Sequence, residues 1–234
     1  MNQSLDTLMD YASVSHLNSY PMFNNLIYYS DQPLLSSDFC NDLMHRFDRD
    51  PDTHSGYTTS KGKDHSNITD EDIEFSLKIK QSTDLYLSPY PRYKEVCNTM
   101  FHAISDVLGT YQEYMESVMP KRSFDFKNQY ARLTGFNLQR TSPGGFFNWH
   151  SDDLIEGDWY RGMSYIIYLN DIHNDGYTEF YDGTRIQPKQ GHVMMFPATW
   201  SFIHRGVPPV DETKYICVGW WQTNKQVHFT KHDD

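Results

Sequence analysis

The sequence predicts an α+β fold, mainly β, in which helices in the first half buttress an antiparallel sandwich or barrel. Three observations carry this. Two stretches before residue 120 place apolar residues at helical spacing. After residue 124 the texture changes to short apolar runs separated by Gly, Pro, Asn and Asp, at spacings of roughly ten residues. The length, 234 residues, suits one domain with a real hydrophobic core and no need of disulfides.

The elements follow in order. Residues 1–25 are polar and mixed, and read as an N-terminal extension to a single domain over 26–234. "NLIYYSDQPL" (25–34) reads as a first strand ending at Pro33. "SSDFCNDLMHRF" (36–47) reads as a helix: Ser36 or Ser37 caps it, Asp38 suits its first turn, and Phe39, Leu43, Met44 and Phe47 line one side. Residues 48–72 form a long polar loop containing His54 and His65, both read as solvated side chains. "PRYKEVCNTMFHAISDVLGTYQEYMESV" (91–118) is the strongest helical stretch. Val96, Met100, Ile104, Leu108, Tyr111 and Met115 form its buried stripe, bracketed by Pro91 and Pro120. Seven strand-like runs then occupy the remainder, ending in "KYICVGWW" (214–221).

Composition excludes some classes. With 31 acidic against 20 basic residues the net charge is −11, and no basic stripe is present, which argues against a nucleic-acid partner. Cys40, Cys97 and Cys217 are far apart and odd in number, so a reducing, cytoplasmic setting is expected rather than a disulfide framework. There is no apolar run long enough to span a membrane, and the N-terminal residues lack the pattern of a signal peptide.

The chemistry concentrates in "FFNWHSDD" (146–153). His150 and Asp152 are two apart, so on a strand they would face the same side. Spacing of this kind is common by chance, and a third ligand is needed. His204, in "FPATWSFIHRGVPPV", supplies a candidate from a strand that could pack against the first. Two imidazoles and one carboxylate on one face leave coordination positions open, the pattern of non-haem Fe(II) centres. Lys214 lies ten residues beyond His204 among Tyr215, Ile216 and Val218. A lysine in an apolar strand needs an anionic partner, and the far carboxylate of a co-substrate such as 2-oxoglutarate would serve.

Residues 26–222 resemble the iron(II)/2-oxoglutarate-dependent dioxygenases of the prolyl-4-hydroxylase branch. "IYYSDQPLLSSDFCNDLMHRF" is similar to that branch's opening strand and helix, and "TSPGGFFNWHSD" to its "YxxGxxYxxHxD" segment. "MSYIIYLNDIHNDGYTEF" resembles its "YLNDVEEGGETxF" hairpin. "IQPKQGHVMMFP" with "HRGVPPVDETKYICVGWW" resembles its closing run. The resemblance implies a double-stranded β-helix (jelly roll), Fe(II) held by His150, Asp152 and His204, and Lys214 on the C5 carboxylate of 2-oxoglutarate. O2 would be the second co-substrate, and ascorbate a reductant to test. The implied activity is hydroxylation of a C–H bond, of a prolyl or other residue in a peptide or protein. Hydroxylation of a free amino acid or other small molecule, a non-catalytic jelly-roll binding module and a hydrolytic zinc site are the alternatives.

The family pattern is not complete. Its two tyrosines are Thr141 and Phe147 here, and Phe147 has no hydroxyl to give to 2-oxoglutarate. Tyr130, Tyr165 and Thr178 are the candidate replacements, and Arg205 is a candidate contact to 2-oxoglutarate or substrate. Asp153 is read as solvated or as an acceptor for a ligating histidine. Trp149, Trp159 and Trp200 are read as core or as lining of the site's mouth. The 48–72 loop and the "NDGY" tip (174–177) are the expected lids.

Overall fold

A computed structural model describes residues 26–56, 69–118 and 132–224. Helix α1 (Ser37–Asp48) starts where the Ser36 hydroxyl accepts the Phe39 N–H. It buries Cys40, Leu43 and Phe47. A 3-10 turn (Pro91–Tyr93) leads into the long helix α3 (Lys94–Val118), whose buried stripe includes Val96, Met100, Ile104, Leu108, Tyr111 and Met115. The expected first strand is shorter than its apolar run: β1 is Tyr28–Tyr29.

The expected 48–72 loop is not a loop throughout. A short strand β2 (His54–Ser55) pairs with β3 (Thr83–Tyr86), and helix α2 (Asp70–Leu77) begins inside the polar run. Thr69 and Asp72 close a capping box there, the local signal that the polar composition concealed. His54 is exposed; His65, with residues 57–68 of the expected lid, lies outside the described residues.

The remaining strands are β4 (Arg132–Leu133), β5 (Asn137–Thr141), β6 (Phe147–His150), β7 (Ile155–Glu156), β8 (Trp159–Tyr168), β9 (Thr178–Phe180), β10 (Arg185–Ile186), β11 (Val193–Pro197), β12 (His204–Gly206) and β13 (Lys214–Asn224). They form two antiparallel sheets. The larger runs β1-β11-β8-β13-β5-β3-β2, with β4 on β13 and β7 on β8; the smaller runs β10-β9-β12-β6. The long strands β8 and β11 read as continuous apolar runs because both their faces are covered. Met163, Tyr165 and Ile167 face the helices with Val193, Met195 and Cys217. Ile166 and Tyr168 face the smaller sheet with Met194, Phe196, Phe180 and Phe202. This two-sheet sandwich is the expected jelly roll, and the helices cover one face of its larger sheet. Among the described residues no helix is long and apolar enough to cross a membrane.

One glycine locks the central strand in place. Gly219 on β13 passes directly under Tyr165, whose hydroxyl donates to the Gly135 carbonyl at 2.8 Å. A Cβ at 219 would collide with both the Tyr165 hydroxyl and the Gly135 carbonyl oxygen. Gly219→Ala is therefore expected to lower stability by about 1–3 kcal/mol, read as the midpoint shift in urea at unchanged slope.

Candidate metal centre

The smaller sheet brings the two histidines together. His204 on β12 pairs directly with His150 on β6, and their ring centroids are 4.3 Å apart. Asp152 lies just past the end of β6 rather than on it. The H-x-D pair therefore converges through a chain that turns back toward β8, not through strand parity. Ser164 on β8 fixes the carboxylate by donating its hydroxyl to Oδ2 at 2.7 Å. His150 Nε2 then stands 3.6 Å from Asp152 Oδ1, and His204 Nε2 stands 3.8 Å from Oδ2. The candidate ligand atoms of all three residues lie within 4.8 Å of one another.

Each imidazole is oriented by the same device. His150 Nδ1 sits 2.7 Å from the Asn148 carbonyl and His204 Nδ1 sits 3.0 Å from the Phe202 carbonyl. A carbonyl only accepts, so both Nδ1 atoms carry the hydrogen and both Nε2 atoms present lone pairs. Burial and the neighbouring His204 push the His150 pKa down to about 4, so the ring is a neutral donor at physiological pH. Burial alone would raise the pKa of Asp152, but His204, His150 and the Ser164 hydroxyl outweigh it and hold the acid ionised. Two lone pairs and a carboxylate turned toward one point fit a divalent cation, and N/O donors of this kind suit iron. The aromatic run that precedes His150 supplies the walls. Phe147 stacks on His150 at 3.6 Å and 12°, while Phe196 and Phe180 flank His204 at 4.9 and 5.6 Å.

Lys214 opens β13 opposite Thr141, with its ammonium inside the sandwich. Nζ donates to the Gly176 carbonyl at 2.9 Å, and burial lowers its pKa to about 8. Gly206, two residues beyond His204, passes beside it: a Cβ there would stand 3.6 Å from Nζ. The tip that carries Gly176, expected to be a lid, is pinned. Gln187 donates to the carbonyls of Ile172 and Asp175, Asn174 donates to Asp211, and His173 pairs with Glu212.

The other expected contacts divide. Thr178 is buried in the sandwich, pairs with Gly206 in register, and its hydroxyl meets that of Tyr168 at 2.9 Å. Tyr165 faces the helices and spends its hydroxyl on Gly135, so it is not in the site. Arg205 points to the outer face of the smaller sheet, ion-paired with Glu179 and lying over Trp149 at 4.7 Å, because its neighbours His204 and Gly206 take the inner face. Asp153 closes a local turn with Ser151, while the histidines donate to backbone carbonyls instead. Trp149 and Trp200 are exposed, and Trp159 lies under Arg132. Tyr130 lies outside the described residues.

Four side chains at the site were not singled out by the sequence. Ser164 and Tyr168 share the inward face of β8 with Ile166, a parity that becomes readable once one residue's face is known. Arg161 stacks on Trp220 at 3.5 Å, and its terminal nitrogen reaches the Asp152 carbonyl at 3.5 Å. The Trp220 indole N–H stands beside the Asp152 carboxylate without closing a hydrogen bond on it. That N–H and Arg161 Nε are buried donors with no hydrogen-bond acceptor among the described residues.

Comparison with known proteins agrees with this geometry. Residues 136–222 match the sequence model of the family described as the 2OG-Fe(II) oxygenase superfamily. A PKHD-type hydroxylase of Synechococcus sp. (strain CC9605) is 28% identical over 91 residues, which are 36% of this chain and 39% of that protein. The match thus spans well under half of that relative's length. Among solved structures, a Trichoplax adhaerens prolyl hydroxylase in complex with a hypoxia inducible factor peptide fragment superposes with a TM-score of 0.63. It is 12% identical and the match covers 91% of this chain and 90% of that one. The viral collagen prolyl hydroxylase of Paramecium Bursaria Chlorella virus-1, as its 2OG complex, gives 0.53 at 17% identity, covering 85% and 96%. A Pseudomonas putida prolyl-4-hydroxylase gives 0.54 at 16%, covering 87% and 96%. The chain shares its fold with these solved structures, and the segment that is similar to the 2OG-Fe(II) oxygenase superfamily model holds His150, Asp152, His204 and Lys214.

Proposed function

We propose that the protein is an Fe(II)- and 2-oxoglutarate-dependent oxygenase that hydroxylates a prolyl residue in a peptide or protein. The observation that carries the reading is the carbonyl-fixed pair of Nε2 lone pairs converging with Asp152, in the same sandwich as a buried lysine. Iron and 2-oxoglutarate, when bound, supply the oxidising chemistry: 2-oxoglutarate and O2 become succinate and CO2, and one oxygen atom enters a substrate C–H bond.

The chain's own residues have separate tasks. His150, Asp152 and His204 hold the ion, and Ser164 keeps the carboxylate turned toward it. Lys214 binds the far carboxylate of 2-oxoglutarate, with the Thr178 and Tyr168 hydroxyls taking the part that Phe147 cannot. Phe147, Phe180 and Phe196 exclude water, which protects a reactive centre from side reactions. The stacked Arg161 and Trp220 offer N–H donors beside Asp152, suited to a substrate amide carbonyl. A peptide substrate is supported by the hydroxylase folds it resembles, one of them solved with a peptide. The test is succinate formation across a panel of proline-containing peptides and free amino acids, with mass spectrometry of each product. Gain of one oxygen atom on a peptidyl proline supports the reading. Turnover with free amino acids alone would reassign the substrate, and no succinate with any of them would contradict an oxygenase.

The pH dependence of co-substrate binding follows from Lys214. Burial brings the free protein's Lys214 pKa to about 8, so the ammonium is intact at pH 7 and is lost above pH 8. The affinity for 2-oxoglutarate should fall about tenfold between pH 7 and pH 9. Anaerobic calorimetry of the iron-loaded protein checks this, and Lys214→Arg, whose charge does not titrate there, should flatten the profile.

A further inference from the structure

A second buried lysine lies behind the metal centre, on the far side of the ring that covers His150. Lys80 and Asp84 are each 4% exposed, and Lys80 Nζ donates to Asp84 Oδ2 at 2.5 Å. Ser82 donates to the other carboxylate oxygen at 2.6 Å, and Asn137 Nδ2 adds a longer contact at 3.3 Å. The segment around Lys80 is joined to β6 by backbone hydrogen bonds: Gln81 N–H to the Phe146 carbonyl and Asn148 N–H to the Ile79 carbonyl, both at 2.8 Å. Lys80 itself bridges to Phe147. Its ammonium stands 5.3 Å from the centroid of the Phe147 ring, and that ring lies parallel to the His150 imidazole at 3.6 Å.

We propose that the Lys80–Asp84 pair is a positioning element for His150, acting through Phe147. It rests on the reading of His150 as a metal ligand. A buried ion pair is weak evidence for stability, because apolar replacements of both partners are often as stable. What such a pair can specify is orientation. An ammonium over a ring is attracted to its face and resists tilting of that ring. The Phe147 ring in turn is a flat stop against the imidazole. His150 is then held twice: at its edge by the Asn148 carbonyl on Nδ1, and across its face by Phe147. The first contact sets the tautomer, and the second keeps Nε2 aimed at the point shared with Asp152 and His204. Partners of this kind, one step removed from the ion, commonly change metal affinity 10–100-fold.

The test uses Co(II) titrated into the metal-free full chain, followed by its visible absorption, with no turnover required. Lys80→Met/Asp84→Leu removes the charges while keeping apolar bulk, and thermal unfolding of the metal-free variant reports its fold. Co(II) affinity should fall about tenfold, with an altered cobalt spectrum. Phe147→Leu should do the same, and the triple variant should be no weaker than Phe147→Leu alone, because the three residues act through one path. Equal affinity and an identical spectrum in Lys80→Met/Asp84→Leu, or losses that simply add in the triple variant, would overturn the proposal. Should that double variant not fold, Lys80→Arg and Phe147→Leu decide. Lys80→Arg, with a cation still over the ring, should stay within about threefold of the natural protein while Phe147→Leu weakens tenfold; an unchanged Phe147→Leu would overturn it. A natural chain that binds no Co(II) would instead remove the metal reading, and this inference with it.

Discussion

Lys214→Met should weaken 2-oxoglutarate binding about 100-fold or more while leaving iron binding almost unchanged. Removing one partner of a buried charge pair typically costs about 3–5 kcal/mol, and each 1.4 kcal/mol is about a factor of ten in affinity. In the free protein the ammonium donates to the Gly176 carbonyl, which is a dipole and not a counter-charge. That explains why burial alone drives its pKa down. The sign has a consequence for stability. The folded-state pKa is below the unfolded value, so the unfolded chain binds more protons between about pH 8 and pH 10.5 and stability rises with pH there. Below pH 8 the full penalty applies. Metal-free Lys214→Met at pH 7 should therefore be more stable than the natural protein, by roughly 3 kcal/mol. A variant that gains stability and loses co-substrate affinity marks a residue kept for binding. Denaturant unfolding and anaerobic calorimetry together check both halves.

Alanine at His150, Asp152 or His204 should abolish turnover and lower iron affinity by more than about 100-fold, with the fold intact. The magnitude exceeds what residues one step removed from the ion produce, because a donor atom is lost outright. His204→Ala should be the most severe. Its ring is buried between Phe180 and Phe196, so the gap is walled by apolar rings and offers water little in return. Asp152→Ala should retain the most iron, because a small anion can take the freed position beside Ser164. Metal analysis of each purified variant, alongside far-ultraviolet circular dichroism, separates ligand loss from unfolding. Full iron content in any one of the three would remove that residue from the ligand set.

The mainly β fold class and the candidate ligands are legible in the sequence for different reasons. The stripe from Val96 to Met115 and the continuous apolar runs of β8 and β11 report burial directly, because packing selects apolar residues wherever a face is covered. His150, Asp152, His204 and Lys214 stand out because metal and carboxylate binding would call for such side chains in such an order. Helix α2 was missed because its first turn is acidic and its apolar residues, such as Phe75, are exposed; only the Thr69–Asp72 cap marks it. Tyr165, a candidate hydroxyl, lies on the opposite face of β8 from Tyr168, because period two separates the faces without naming which one looks inward. Which face looks inward is decided by a distant contact, Ser164 to Asp152. Arg205 was considered for its nearness to His204 in sequence, but on a strand that nearness points it the opposite way, to Glu179. Arg161 and Trp220 meet only because β8 and β13 pair with an irregular register at that end.

One site is expected to hold both the ion and 2-oxoglutarate. A single anaerobic experiment addresses it: the Fe(II) affinity of the full chain, measured with and without saturating 2-oxoglutarate. Two ligands of one site change each other's affinity by the same factor, and an anion that chelates the cation makes that change a tightening. The predicted result is tighter Fe(II) binding in the presence of 2-oxoglutarate; at a fixed concentration that just saturates the natural protein, the gain is largely lost in Lys214→Met and absent in His204→Ala. An Fe(II) affinity that does not respond to 2-oxoglutarate in the natural protein would contradict the shared site, and with it the oxygenase reading.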